Sequence, residues 1–200
     1  DRAPDGWTRY HESFGTVYGK PTVQVKEAYD PDLMRGLHDF AASIGTTAVR
    51  KVRIGGKRWG YAVTPRGPGG VSTVVTKMAG PEGVLMHEIG HVLDARYGLS
   101  GRWVNSPKTK QELRDLADLR RTGEESPSRQ QQYRRADEKI ANLVHGFLYA
   151  PERAKSTAPN AYWALYNLAK DTPELQPLLT LQKTRSLRLG ESQAEIPIGG

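Results

Sequence analysis

The sequence predicts an α+β protein in which a small N-terminal mixed sheet is followed by a mainly helical C-terminal half. Before residue 81 the chain carries three β-rich runs separated by glycine and proline. After residue 81, apolar residues recur at helical spacing instead. At 200 residues the chain is long enough for one substantial core and short for two.

We therefore expect a single domain over residues 1–200. Its N-terminal part, residues 1–80, would hold a helix and the sheet, and residues 81–189 would form the helical part. Residues 190–200 lack an apolar period and predict a loose tail. The first element is an amphipathic helix from Asp32 to Ile44.

Three strand candidates follow this helix, at Thr47–Ile54, Arg58–Thr64 and Val71–Lys77. The glycine pair Gly55-Gly56 between the first two predicts a hairpin turn. The third run could be an edge strand that holds an extended peptide by main-chain hydrogen bonds. An ordinary strand inside the sheet accounts for it equally well.

Residues 87 to 91 read His-Glu-Ile-Gly-His. On a helix His87 and His91 lie about one turn apart on one face, so a divalent metal can bridge their imidazoles. Neutral imidazole suits zinc, whose catalytic sites keep one position for water. Glu88 lies at the edge of the same face and could take a proton from that water. The motif therefore predicts a metal-dependent hydrolase.

The segment around the motif, Pro81 to Gly98, has the features of a helix. Proline suits a first turn, and Gly98 is a plausible left-handed stop. An apolar stripe at helical spacing runs along it, formed by Leu85, Ile89, Val92 and Leu93. The alternative is a surface helix whose histidines merely face water.

A catalytic zinc site needs a third protein ligand, and two acids are candidates. Asp94 is two turns after His87, about 10 Å along the axis, so it is better placed to orient a ligand imidazole than to bind the metal. A surface ion pair explains Asp94 equally well. Glu138 stands in the first turns of an amphipathic segment, Arg135–Tyr149, and Ala141 and Asn142 on the same face leave room for close approach by another helix. This pattern is typical of a second metal-bearing helix.

The remaining helices are expected at Pro107–Arg121 and Gln130–Tyr149, joined by the polar loop Thr122–Ser128. Two more, Asn160–Lys170 and Pro173–Leu181, are expected to pack behind the helix that carries Glu138.

The motif at 87–94, together with Asp-Glu-Lys-Ile-Ala at 137–141 and the prolines Pro151 and Pro159, resembles the metalloprotease domain of anthrax lethal factor and its relatives. That toxin-like group includes Pro-Pro endopeptidases and protease-like modules of phage and mobile-element polyproteins. The similar stretch covers about residues 71–170. The resemblance implies a zincin-like fold and a gluzincin site, with Glu88 as the catalytic base and with three zinc ligands, His87, His91 and Glu138.

The resemblance also implies a tyrosine several residues before Glu138, whose hydroxyl would stabilise the oxyanion. Gln131 stands seven residues before Glu138 and Tyr133 five before it, so the role is assigned to Tyr133. Tyr149 is a weaker candidate, because it lies about 16 Å along the helix from Glu138. His145 is expected to be a packing or surface histidine.

Composition limits the function classes. The chain has no cysteine, so neither disulfides nor thiolate metal sites are available. No apolar run approaches the roughly 18 residues of a membrane span, so we expect no membrane insertion. The net charge of +7 raises nucleic-acid binding as a second class. The basic residues form no long tract and no recognised module, so specific nucleic-acid binding is not expected.

The sequence thus predicts a zinc-dependent endopeptidase that hydrolyses peptide bonds in a protein or peptide substrate. The alternative is a basic, nucleic-acid-associated or structural module of a phage or mobile element that retains a protease-like fold.

Overall fold

The computed structural model describes residues 8–12, 15–19, 31–51, 60–64, 71–77, 82–119 and 127–183. The strands are β1 Thr8–Glu12, β2 Gly15–Gly19, β3 Thr46–Lys51, β4 Gly60–Val63 and β5 Ser72–Lys77. The helices are α1 Pro31–Ser43, α2 Glu82–Tyr97, α3 Leu99–Trp103, α4 Lys110–Asp118, α5 Pro127–Tyr133, α6 Ala136–Tyr149, α7 Pro151–Thr157 and α8 Pro159–Asp171. A 3₁₀ turn at Pro173–Leu175 leads into further helix over 176–183. The protein is α+β and mostly helical, which confirms the predicted class.

A three-stranded mixed sheet precedes helix α2 and packs against it. Strand β5 is in the middle, parallel to β3 and antiparallel to β4. Of the two interpretations of Val71–Lys77, the ordinary strand inside the sheet is confirmed and the edge strand is wrong, because β5 pairs on both sides and its Val74 and Val75 are buried. The predicted hairpin between the first two runs is wrong too, since β3 and β4 both pair with β5. Gly55-Gly56 itself lies outside the described residues.

Strands β1 and β2 form a separate antiparallel pair that the sequence analysis did not predict. Their side chains lie outside the described part of the chain, as do residues 1–7 and the predicted tail 190–200. Most of the predicted loop Thr122–Ser128 lies outside it as well, although Pro127 and Ser128 already belong to α5.

Helices α1, α2, α4 and α8 lie where the sequence predicts them, to within one turn at each end. Gly98 ends α2 with a φ of 62°, the left-handed stop that was predicted. The short helices α3 and α7 were not predicted. Among the described residues, none of the helices is long and apolar enough to span a membrane.

The predicted single helix Gln130–Tyr149 is wrong, because the chain breaks it into α5 and α6. Arg135 has a ψ of 148° and is extended. Its backbone N–H donates to the carbonyl of Gln132, a tight bond that closes the end of α5. No glycine or proline lies at the break, so helical periodicity continues through it and hides it.

One hydrophobic cluster joins the helices to the sheet and runs from α1 to residue 178. The predicted apolar stripe of α2 is buried in it, which confirms that this face of the helix is internal. The apolar residues of α6 are buried as well, namely Ile140, Leu143, Val144, Phe147 and Leu148. Helices α2 and α6 therefore lie side by side at the centre of the molecule, and each is the other's main neighbour.

Helices α2 and α6 approach each other closely at Gly90. A Cβ atom placed there would lie 2.6 Å from the Cα of Ala141 and 3.1 Å from its carbonyl oxygen. Both are backbone atoms and cannot turn away. A side chain at residue 90 would therefore fit only if the two helices moved apart. The small residue predicted at 141 thus does allow close approach by another helix.

We expect Gly90→Ala to lower the free energy of unfolding by about 1–3 kcal/mol, because the added methyl forces the two helices apart. Gly101→Ala is the matched control: nothing lies within 4 Å of a Cβ at that position, and alanine favours helix. The control should unfold at the same or slightly higher denaturant concentration. Equal stabilities for wild type and Gly90→Ala would contradict the close packing described here.

Candidate metal centre

Helix α2 presents its two motif histidines on one face, one turn apart. The ring centroids of His87 and His91 are 5.0 Å apart, and the ring planes are nearly perpendicular at 89°. Both side chains are largely buried yet reach an open cleft. This arrangement is the one that their spacing on a helix predicts.

Glu138 supplies a carboxylate to the same place from α6. Its Oε2 lies 3.2 Å from His87 Nε2, and its Oε1 lies 3.7 Å from His91 Nε2. Glu138 stands one turn before Ala141, whose backbone meets Gly90. The close packing of α2 on α6 therefore brings the carboxylate within reach of both imidazoles.

These three residues could hold a metal ion. Zinc bonds of about 2.0–2.2 Å at tetrahedral angles separate two ligand atoms by roughly 3.3–3.6 Å. Ligand atoms from His87, His91 and Glu138 all lie within 4.8 Å of one another, and the two carboxylate–imidazole distances are close to that range. Two imidazoles and one carboxylate are also a donor set that catalytic zinc sites use.

Glu88 is buried next to the histidines and lines the same cleft, which has a volume of about 840 Å³. Strand β4 forms one wall of the cleft, through Gly60, Tyr61 and Ala62. Residues of α5 and of the start of α6 line the cleft as well. The motif's acidic residue is thus placed where it can reach a molecule that lies against the histidines.

Glu138 is charged in the folded protein over nearly the whole pH range. Burial alone would raise its pKa, but hydrogen bonds with His87 and Gln132 and the charges of the two histidines lower it more. The net result is a pKa of about 2, compared with an ordinary value of 4.5. The Gln132 amide donates to Glu138 Oε1 over 2.8 Å and so orients this carboxylate from α5.

Asp94 is buried and also lines the cleft. Its Oδ1 accepts a hydrogen bond of 2.6 Å from the backbone N–H of Ser100, in the first turn of α3. Asp94 therefore ties the end of α2 to the next helix. Its predicted role in orienting a ligand imidazole stays a prediction.

Asp137 is the carboxylate nearest to the second nitrogen of His91. Its Oδ2 lies 4.0 Å from His91 Nδ1, while Arg135 holds the carboxylate with two hydrogen bonds of 2.6 and 3.0 Å. His91 thus faces Glu138 with Nε2 and Asp137 with Nδ1. At 4.0 Å this contact is between charges and is not a hydrogen bond. The negative charge of a carboxylate near the outer nitrogen raises the basicity of a metal-binding imidazole.

The predicted oxyanion residue, Tyr133, is the last residue of α5, and its side chain lies outside the described residues. Gln131 lines the cleft. His145 is buried, with its ring centroid 6.3 Å from that of His87 and 5.4 Å from that of Tyr149. This placement agrees with a packing histidine.

Sequence reasoning missed three residues that shape the site, namely Gly60, Gln132 and Asp137. Asp137 could have been found, because it is adjacent to Glu138 in a motif already singled out. Gln132 reaches Glu138 only because the helix breaks between them. Gly60 lies beside Glu88 only because of the strand order, which places β4 next to β5 and against α2. Neither feature leaves a local signal.

The chain matches no protein-family model, no curated protein and no solved structure. The similarity to the lethal factor group therefore stays a prediction.

We expect Asp137→Asn to weaken zinc binding about tenfold, because it removes the negative charge beside His91 Nδ1. The affinity can be measured by competition with a chromogenic chelator. Asp171→Asn, an exposed aspartate at the end of α8, is the matched control and should bind zinc like the wild type. Unchanged affinity in Asp137→Asn would exclude a role in orienting the ligand.

We also expect the metal-free protein to lose stability as the pH falls from about 4.5 towards about 2. The unfolded chain takes up a proton on Glu138 near 4.5, whereas the folded protein resists protonation until about 2, so the stabilisation present above pH 4.5 is lost in this window. Denaturant unfolding of wild type and Glu138→Gln at several pH values measures it. As the pH falls, the free energy of unfolding of the wild type should decrease relative to that of Glu138→Gln. A difference between the two proteins that does not change with pH would contradict the lowered pKa of Glu138.

Proposed function

We propose that this protein is a zinc-dependent endopeptidase. One observation carries the proposal: His87, His91 and Glu138 come together in an open cleft that also contains Glu88. The donor set suits zinc better than magnesium or calcium, which prefer oxygen ligands alone. An open cleft beside a three-residue ligand set is what distinguishes a catalytic zinc site from a closed, structural one.

Each residue then has a chemical role. His87, His91 and Glu138 would hold the ion, and the chemistry that a zinc ion would supply there is a bound water with a pKa of about 7 and polarisation of the scissile carbonyl. Glu88 accepts the proton of the attacking water and passes it to the amine of the departing peptide.

Strand β4 is the part of the cleft best suited to hold the substrate. Among the described strands it has a partner on one side only, and Gly60, Tyr61 and Ala62 line the cleft. An extended peptide can pair with the open side of such a strand through main-chain hydrogen bonds. The peptide-binding role considered for Val71–Lys77 therefore passes to β4.

Stabilisation of the oxyanion by Tyr133 is part of this proposal. It follows from the similarity to the lethal factor group, and a hydroxyl donor in that position would contribute roughly 3–4 kcal/mol to the transition state. Tyr133→Phe removes the hydroxyl alone, so a large fall in kcat with unchanged zinc content would support the assignment.

The alternative, a basic nucleic-acid-associated module, fits the net charge but not the cleft. Among the described residues that line the cleft, four are acidic, namely Glu88, Asp94, Asp137 and Glu138. The one arginine there, Arg135, is paired with Asp137. A polyanion would be repelled from such a surface. Retention on random DNA above modest salt, without zinc in the purified protein, would favour the alternative.

We expect Glu88→Gln to abolish cleavage while zinc stays bound, because it removes the base and leaves the ligands. Loss of a general base lowers the rate by about 10²–10⁴-fold. His87→Ala and Glu138→Ala should instead lose the metal first. Elemental analysis and mass spectrometry of fragments from a diverse peptide library measure both properties.

Glu152→Gln, an exposed glutamate of α7, is the control for the same chemical change. It should keep both zinc and cleavage. Full turnover by Glu88→Gln would remove that residue from its role, and a zinc-loaded wild type that cleaves no peptide of the library would refute the endopeptidase proposal.

A further inference from the structure

We propose that Gly60 is a positioning residue for Glu88. Because Gly60 has no side chain, strand β4 leaves space for the Glu88 carboxylate and keeps this carboxylate beside the histidines. The inference rests on the proposed function of Glu88 as the base. It adds a residue from the sheet to a site that the motif places entirely on helices.

The contacts at Gly60 are unusually close. A Cβ atom there would lie 3.2 Å from both Cγ and Oε1 of Glu88, and 2.7 Å from Cγ1 of Val84. Val84 is one turn before Glu88 on α2, so the strand crosses the helix directly over the base. The Glu88 side chain thus lies in space that a side chain at residue 60 would have to enter.

The two neighbours of Gly60, Val84 and Glu88, respond differently when Gly60 is replaced by alanine. Val84 is β-branched and has essentially one side-chain rotamer in a helix, so it cannot turn away from an added methyl. The Glu88 carboxylate is the end of a flexible chain and can turn away. The added methyl would therefore shift the strand slightly and displace the carboxylate.

Gly60 is the first residue of β4, and a glycine in a strand often marks a close approach by another group. At Gly60 that group is the proposed base itself. A displaced carboxylate loses hydrogen-bond reach to a molecule at the metal, and misplacement by about 1 Å costs on the order of a hundredfold in rate. The change at residue 60 does not contact His87, His91 or Glu138. We therefore expect the affinity for the metal to stay unchanged while the activity falls.

Acetohydroxamic acid tests this without knowledge of the substrate. It chelates a metal through two oxygens, and its hydroxyl oxygen can share a hydrogen bond with a neighbouring carboxyl group, so its affinity reports whether Glu88 is in place. The cobalt(II)-loaded protein gives a visible absorption change on binding. We expect Gly60→Ala to bind acetohydroxamic acid about tenfold more weakly, as the loss of one hydrogen bond to a charged group predicts. Zinc affinity should stay within threefold of wild type.

The Glu88→Gln background separates two effects of the added methyl, namely displacement of Glu88 and obstruction of the cleft. In Glu88→Gln, the further change Gly60→Ala should have no effect on acetohydroxamic acid binding, because the group on which it acts is already altered. Val63→Ala, an exposed residue of the same strand, and Gly101→Ala, a glycine with open space around it, should both bind like the wild type. If Gly60→Ala does not fold, the pair Gly60→Ala with Val84→Ala removes the 2.7 Å contact and keeps the contacts with Glu88.

Wild-type binding by Gly60→Ala, an equal loss in the Glu88→Gln background, or loss of the metal would each overturn the proposal. The second result would mean that the methyl blocks the cleft, and the third that Gly60 is needed only for the fold. Peptide cleavage is measured separately on the same variants. If the wild type cleaves no peptide but the acetohydroxamic acid pattern holds, the endopeptidase proposal fails while the positioning of Glu88 by Gly60 stands.

Discussion

The site depends on one packing contact, the approach of α2 to α6 at Gly90 and Ala141. A glycine on one helix lies against the backbone of the other, with no room for a side chain between them. The two histidines belong to the turn around Gly90, and Glu138 belongs to the turn before Ala141. Since the ligands are fixed to these helices, the distance between the helix axes sets the distance between the imidazoles and the carboxylate. A rule of helix packing thus determines whether a metal can be held.

Charge is the second constraint, because the cleft concentrates four carboxylates. Buried carboxylates need partners, and this cleft supplies them from several elements. Glu138 is held by His87 and by Gln132, Asp94 by the backbone of α3, and Asp137 by Arg135. These partners come from α2, α3, α5 and the loop before α6. A bound divalent cation would balance the acids that remain closest to the histidines.

The sequence predicts the parts of the site that lie within one helix. His87, Glu88 and His91 are placed by their spacing alone, and the apolar stripe of α2 predicts which face is buried. Glu138 is identifiable because it begins a helix with a clear apolar period. The contributions of Gly60 and Gln132 are not predictable in this way, since they depend on strand order and on a helix break that no residue type marks. The position of β5 in the sheet is likewise a property of its neighbours, not of its own composition.

The separation of α2 and α6 along the chain has a consequence for biosynthesis. Three helices, α3 to α5, are translated between them. A nascent chain therefore carries both imidazoles well before the carboxylate that completes the trio leaves the ribosome. Because two histidines alone retain a divalent ion weakly, tight uptake has to wait for α6 to emerge and dock. The order of translation thus means that any ion held by these three residues is bound tightly only after α6 has docked on α2.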